Sequence, residues 1–163
     1  MKESPYLEGK EHLIAKYGYL SLLGSANKRY LEQLLQVSKL RFYDAGDTIT
    51  SEGEHDHWAY IILEGEVIVS KHGETLATIN RPGEVFGELT MIDNRTRSAT
   101  IEADKSTICL AIDINKVDNM TDEKRDAFFA VFFLTLTDSL SSRLRAADEE
   151  LAKLKAELAQ LKK

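Results

Sequence analysis

The chain has 163 residues, 43% of them hydrophobic and 29% charged, a size and balance that fit one compact domain. Asp and Glu number 27 against 21 Lys and Arg, and a net charge of −6 repels phosphate backbones, which argues against direct nucleic-acid binding. Cys109 is the single cysteine, set in the apolar run Ile108–Ile112, so an intramolecular disulfide and a cysteine-based zinc site are excluded and a reducing compartment is expected.

Met1–Pro5 lacks a basic stretch leading into an apolar one, and no run approaches eighteen uninterrupted apolar residues, so the expectation is a cytoplasmic protein without export signal or membrane span. Residues 1–38 read as a helical preface, with Leu31, Leu34 and Leu35 at helical spacing and Ser25 and Asn27 as candidate caps after Gly24. Over 39–120 the pattern changes to short β-branched and aromatic runs: Arg41–Tyr43, Trp58–Leu63, Val67–Val69, Leu76–Ile79 and Thr107–Ile112. Turn signals separate them, among them Gly46-Asp47, Gly53-Glu54, Gly65-Glu66, Gly73-Glu74 and Gly83-Glu84. This spacing predicts a mainly β fold with flanking helices, a closed or double-sheet barrel.

Residues 121–163 contain neither Gly nor Pro and predict one long helix. Phe133, Thr137, Leu140, Leu144, Ala147, Leu151, Leu154, Leu158 and Leu161 alternate steps of four and three, the a/d seam of a coiled coil. Arg143, Glu150 and Glu157 then fall at g, and Asp148, Lys155 and Lys162 at the following e positions, so every g-to-e′ pair of a parallel homodimer is opposite in sign. Leucine at both a and d leaves dimer and higher order open.

The most informative stretch runs from Pro82 to Thr100. Gly87 permits close backbone approach to a ligand, Glu88 opens a short helical turn, and Arg97 follows nine residues later. Free N–H groups and an arginine fork suit an anion, and a nearby carboxylate suits sugar hydroxyls, so the combination points to a ribose phosphate.

This stretch resembles the phosphate-binding cassette of the cyclic nucleotide-binding domain family, found in catabolite activator proteins, kinase regulatory subunits and cyclic nucleotide-gated channels. Gly46-Asp47, Glu52-Gly53-Glu54 and Tyr60–Val67 are similar to the family's upstream strand-and-glycine signatures. The resemblance implies an eight-stranded β roll (double-stranded β-helix or jelly roll) with a C-terminal helix that moves over the nucleotide. It implies that Glu88 accepts from the ribose 2′-hydroxyl and Arg97 pairs with the exocyclic phosphate oxygens. Ser98 and Ala99 would add donors, and Gly87 and Leu89 would give backbone approach. Val69 and Thr78 fall where the family's sheet meets the base. In the activator branch the long helix offers hydroxyls to adenine, and here Ala147 and Asp148 take those places, with Asp148 a candidate acceptor for the base's amino group. The organisation favours cAMP over cGMP, with no other cofactor, and a partner protein or effector domain downstream of the sensor.

Two other readings compete. His55-Asp56-His57 invites comparison with a cupin metal site, but Ile61 and Ile62 stand where an acidic ligand is needed and Phe86 where a further His is needed, so neither metal nor catalysis is expected. A roll that binds no nucleotide and serves only as a dimeric interaction module is the other. No helix-turn-helix follows the heptads, so the expectation is a stand-alone sensor or the sensor part of a longer regulator. Ligand state is expected to reach the seam through Phe132, Phe133 and the residues before Leu140.

Overall fold

A computed structural model describes residues 1–10, 12, 28–88 and 96–161. Within these, the elements are β1 (Lys2–Glu3), α1 (Lys28–Gln36), β2 (Ser38–Tyr43), β3 (Thr48–Thr50), β4 (Trp58–Glu64), β5 (Val67–Lys71), β6 (Glu74–Ile79), β7 (Val85–Phe86), β8 (Thr100–Ala103), β9 (Thr107–Asp113), α2 (Ile114–Asp118) and α3 (Asp122–Leu161). All strand pairs are antiparallel, in a five-stranded sheet ordered β1-β2-β9-β4-β7 and a four-stranded sheet ordered β3-β8-β5-β6.

The unbroken apolar runs of β4 and β9 follow from burial on both faces. Tyr60, Ile62, Cys109 and Ala111 point between the sheets, where they meet Val67, Ile79, Ile101 and Ala103 of the second sheet. Ala59, Ile61, Leu63, Leu110 and Ile112 point the other way, onto Leu31, Leu34 and Leu35 of α1 and Phe128, Val131, Phe132 and Leu136 of α3. The three sequence segments therefore share one core. Burial at β4 fixes its register, because a one-residue slip would exchange its two faces.

Two expectations change. Residues 1–10 do not continue a helix: Lys2–Glu3 add a strand to the β2 edge, pinned by Glu3 against Lys39 (2.7 Å) and Arg41 (3.1 Å), and Leu7 is buried in the helix-side core. The two proposed caps, Ser25 and Asn27, lie outside the described residues. The other change concerns α3, where one window is long and apolar enough to cross a membrane by composition. Its aromatic face, Phe128 and Phe132, is the part buried on the roll. Phe133, Leu140, Leu144, Leu151, Leu154, Leu158 and Leu161, the seam positions, are exposed along the helix.

Candidate functional site

Thr50, Val69, Ile79, Phe86, Gly87, Glu88, Arg97, Ser98, Ala99, Ile101 and Arg143 border one cavity of about 160 Å³. Its wall is the inner face of the four-stranded sheet, where Thr50, Ile101 and Val69 stand in register across β3, β8 and β5. Its rim is the segment after β7 and the segment before β8. Glu88 and Arg97 are both buried there, as charged groups are only when the fold gives them work or partners.

Arg97 is held on several sides. Its backbone is zipped to the β3–β4 loop, with Gly53 N–H donating to Arg97 O (2.9 Å) and Arg97 N–H donating to Glu54 O (2.8 Å). Its guanidinium donates to both carboxylate oxygens of Asp56, with Nε at 2.8 Å from Oδ2, to the Trp58 carbonyl and to the Gly87 carbonyl (2.6 Å). Asp56 is itself aimed by the Trp58 N–H, which donates to Oδ1 at 2.9 Å. A bidentate carboxylate fixes the plane of the fork and neutralises its charge, so Arg97 waits at the rim preorganised. Gly87 is required at its position: φ is +72°, and an added Cβ would lie 2.6 Å from Arg97 Nη1.

The long helix meets the rim at β7. Val85 opposes Ile61 in a pair that leaves its own N–H and C=O pointing away from β4. Ser139 Oγ accepts the N–H at 3.0 Å, and Arg143, one turn further on, donates to the carbonyl. Arg143 also lies 4.0 Å from the buried Glu84 carboxylate, and Arg81 pairs with Asp138 at 3.2 Å. Two side chains four residues apart on one helical face thus satisfy the free edge of a two-residue strand.

Residues 40–124, that is 85 of 163, match the sequence profile of the cyclic nucleotide-binding domain. The chain belongs to that family. A cyclic nucleotide-binding domain from Methylobacillus flagellatus superposes with a TM-score of 0.70 at 20% identity, covering 86% of this chain and 85% of that one. The catabolite activator protein of Thermus thermophilus is 29% identical with a TM-score of 0.56, over 82% of this chain and 62% of that one. A cGMP-dependent protein kinase of Eimeria tenella is 26% identical over 149 residues, which are 91% of this chain but 14% of the kinase. The chain thus spans about one seventh of that relative's length, and corresponds to a cyclic nucleotide-binding regulatory domain.

Among the residues expected at the nucleotide site, Gly87, Glu88, Arg97, Ser98, Ala99 and Val69 border the cavity together. Leu89 lies outside the described residues. Thr78 does not face the cavity: it pairs with Ile68 on the outer, exposed face of the sheet, and its neighbour Ile79 occupies the wall. Strand alternation from Ala77 to Ile79 carries that signal. Asp148 stands exposed on α3, five residues past Arg143 and so about 7.5 Å further along the axis, beyond the cavity lining. Arg143, read from the heptads as a g-position partner for a second helix, instead turns to its own roll. Asp56, which the sequence presents only as the residue between two histidines, gives its carboxylate to Arg97, while His55 and His57 beside it are exposed. The signal for Asp56 is that a buried arginine needs a carboxylate near by.

Proposed function

We propose that the cavity binds a cyclic nucleotide, cAMP ahead of cGMP, and that the domain reports its occupancy to a partner protein or effector domain through a parallel homodimer of α3 helices. The observation that carries the reading is the convergence of Gly87, Glu88 and the Arg97–Ala99 segment on one rim of a cavity whose wall is Val69, Ile79 and Ile101. Glu88 serves the ribose hydroxyl, Arg97 the phosphate with Ser98 and Ala99 beside it, and the apolar wall the base. The domain regulates without chemistry of its own, works in the cytoplasm, and binds neither nucleic acid nor membrane. The exposed leucines at 140, 144, 151, 154, 158 and 161, with opposite charges at Glu150/Lys155, support self-association of the helix.

Likeness to a cAMP-dependent protein kinase regulatory subunit of Debaryomyces hansenii, 32% identical over 84 residues, supports cAMP, and likeness to the Eimeria kinase, named for cGMP, favours the second reading. Calorimetric titration with both nucleotides separates them. Glu88→Ala, which removes a rim group outside the Arg97–Asp56 pair, is expected to weaken binding at least tenfold with an unchanged circular dichroism spectrum. Unchanged affinity in that variant refutes the assignment.

A further inference from the structure

We propose that Thr50 is the hydrogen-bonding contact between the cavity wall and the edge of the base, and so favours a base with a 6-amino or 6-oxo group over one that lacks it. The inference rests on the cyclic-nucleotide reading of the cavity and adds a residue that neither the motif nor the helix supplies.

Thr50 owes its place to a β-bulge. Thr48 pairs with Glu102 on β8, and Thr50, two residues on, pairs with Ile101, only one residue back. In unbroken register Ile49 would oppose Ile101, and Thr50 would lie beside Thr100 on the outer face. The extra residue turns Thr50 inward, as bulges do beside functional sites. Thr50 is 2% exposed, and its Oγ1 has no hydrogen-bond partner among the described residues. A buried hydroxyl without a partner costs stability, and valine would fill the same volume without that cost. Ile101 and Val69, which continue its row across the sheet, offer the base no hydrogen bond. A 120° turn of χ1 between staggered wells carries the Thr50 hydroxyl to the site of its methyl and the methyl to that of the β-hydrogen, and because Oγ1 has no partner among the described residues, that turn forfeits no hydrogen bond. A hydroxyl both donates and accepts, so it can meet the 6-amino group of adenine or the 6-oxo group of guanine.

The test uses the full chain and three ligands: cAMP, cGMP and the 3′,5′-cyclic monophosphate of unsubstituted purine riboside, which keeps the sugar and phosphate but lacks the 6-substituent. Affinities are measured by calorimetry for wild type, Thr50→Val and Thr50→Ser, with urea unfolding of each ligand-free protein. Thr50→Val is expected to unfold at the same or higher urea concentration, to lose five- to tenfold affinity for the natural nucleotide the wild type prefers, and to bind the unsubstituted analogue within twofold of wild type. Thr50→Ser is expected to keep the wild-type ranking. Unchanged affinity and ranking in a folded Thr50→Val protein overturn the proposal, and so does equal weakening by Val and Ser, which would mark a packing effect. Wild-type binding to none of the three would overturn the cyclic-nucleotide reading itself, and the proposal with it.

Discussion

Replacing Asp56 by Asn tests how the rim stores its arginine. The Arg97 side chain is 3% exposed and Asp56 25% exposed, so the substitution takes the bidentate carboxylate charge from a buried guanidinium while nearly preserving shape. Breaking a buried pair from one side costs about 3–5 kcal/mol. Because Asp56 keeps a quarter of its side chain in water, and the Trp58 and Gly87 carbonyls still accept from Arg97, the low end applies, about 3 kcal/mol. For a chain of this length each kcal/mol moves Tm by about 2–4 °C, so ligand-free Asp56→Asn is expected to melt about 6–12 °C below wild type. A cyclic nucleotide should then restore more stability to the variant than to the wild type, because its phosphate supplies the missing negative charge. Thermal unfolding followed by circular dichroism, with and without nucleotide, reads both effects. Arg97→Met and the double variant complete a cycle that isolates the pair from its surroundings. A Tm within 2 °C of wild type, or additive single effects, would refute the claim that Asp56 compensates Arg97.

Gly87→Ala should cost about 1–2 kcal/mol through its left-handed backbone alone, and displace Arg97 as well, so both Tm and nucleotide affinity should fall; an unchanged affinity would mean that the fork has room to spare. Ser139→Ala leaves the buried Val85 N–H without its acceptor, about 1–3 kcal/mol, and amide exchange at Val85 should accelerate. Removing residues 147–163 takes away seam leucines but nothing from the core, which ends at Leu136, so sedimentation should show weaker self-association with the roll's urea midpoint intact. Burial, aided by its 2.6 Å hydrogen bond to Asp113, pushes Tyr6 up to about 12, and burial raises Tyr43 and Tyr60 as well. Raised folded values mean that this stability is complete below the ordinary phenol value near 10 and is lost as pH climbs through the folded ones. Absorbance at 295 nm should therefore show tyrosines withheld until the fold collapses in alkali, and ionisation of all six near pH 10 with the fold intact would contradict it.

What was legible in the sequence follows from how far each signal extends along the chain. Trp58–Glu64 and Thr107–Asp113 lie between two cores and so announce themselves as apolar runs. Thr48–Thr50, Val85–Phe86 and Thr100–Ala103 span two to four residues and are defined by partners distant in sequence, so no local period marks them. Thr78 and Ile79 differ by one position, and in a strand one position is the difference between wall and solvent. Asp56 sits in a loop, where its partner is fixed by the backbone zipper to Arg97 and by no spacing.

Arg143 shows what the helix does for the roll. The same turns of α3 carry two faces: Ser139 and Arg143 grip Val85, while Leu140 and Leu144 lie exposed on the seam. Val85 directly precedes Phe86, Gly87 and Glu88 of the cavity. Any ligand that shifts the rim backbone must therefore either carry Ser139 and Arg143 with it or break both hydrogen bonds, and each response reorients the neighbouring seam leucines. A ligand selects between such arrangements only through its different affinity for each. The expected relay through Phe132, Phe133 and the residues before Leu140 includes Ser139, whereas Phe132 is packed in the core between roll and helix, where close packing resists small displacements. The turn from Ser139 to Leu144, which grips the rim and carries two exposed leucines, is the shorter mechanical route from the cavity to the outer face of α3.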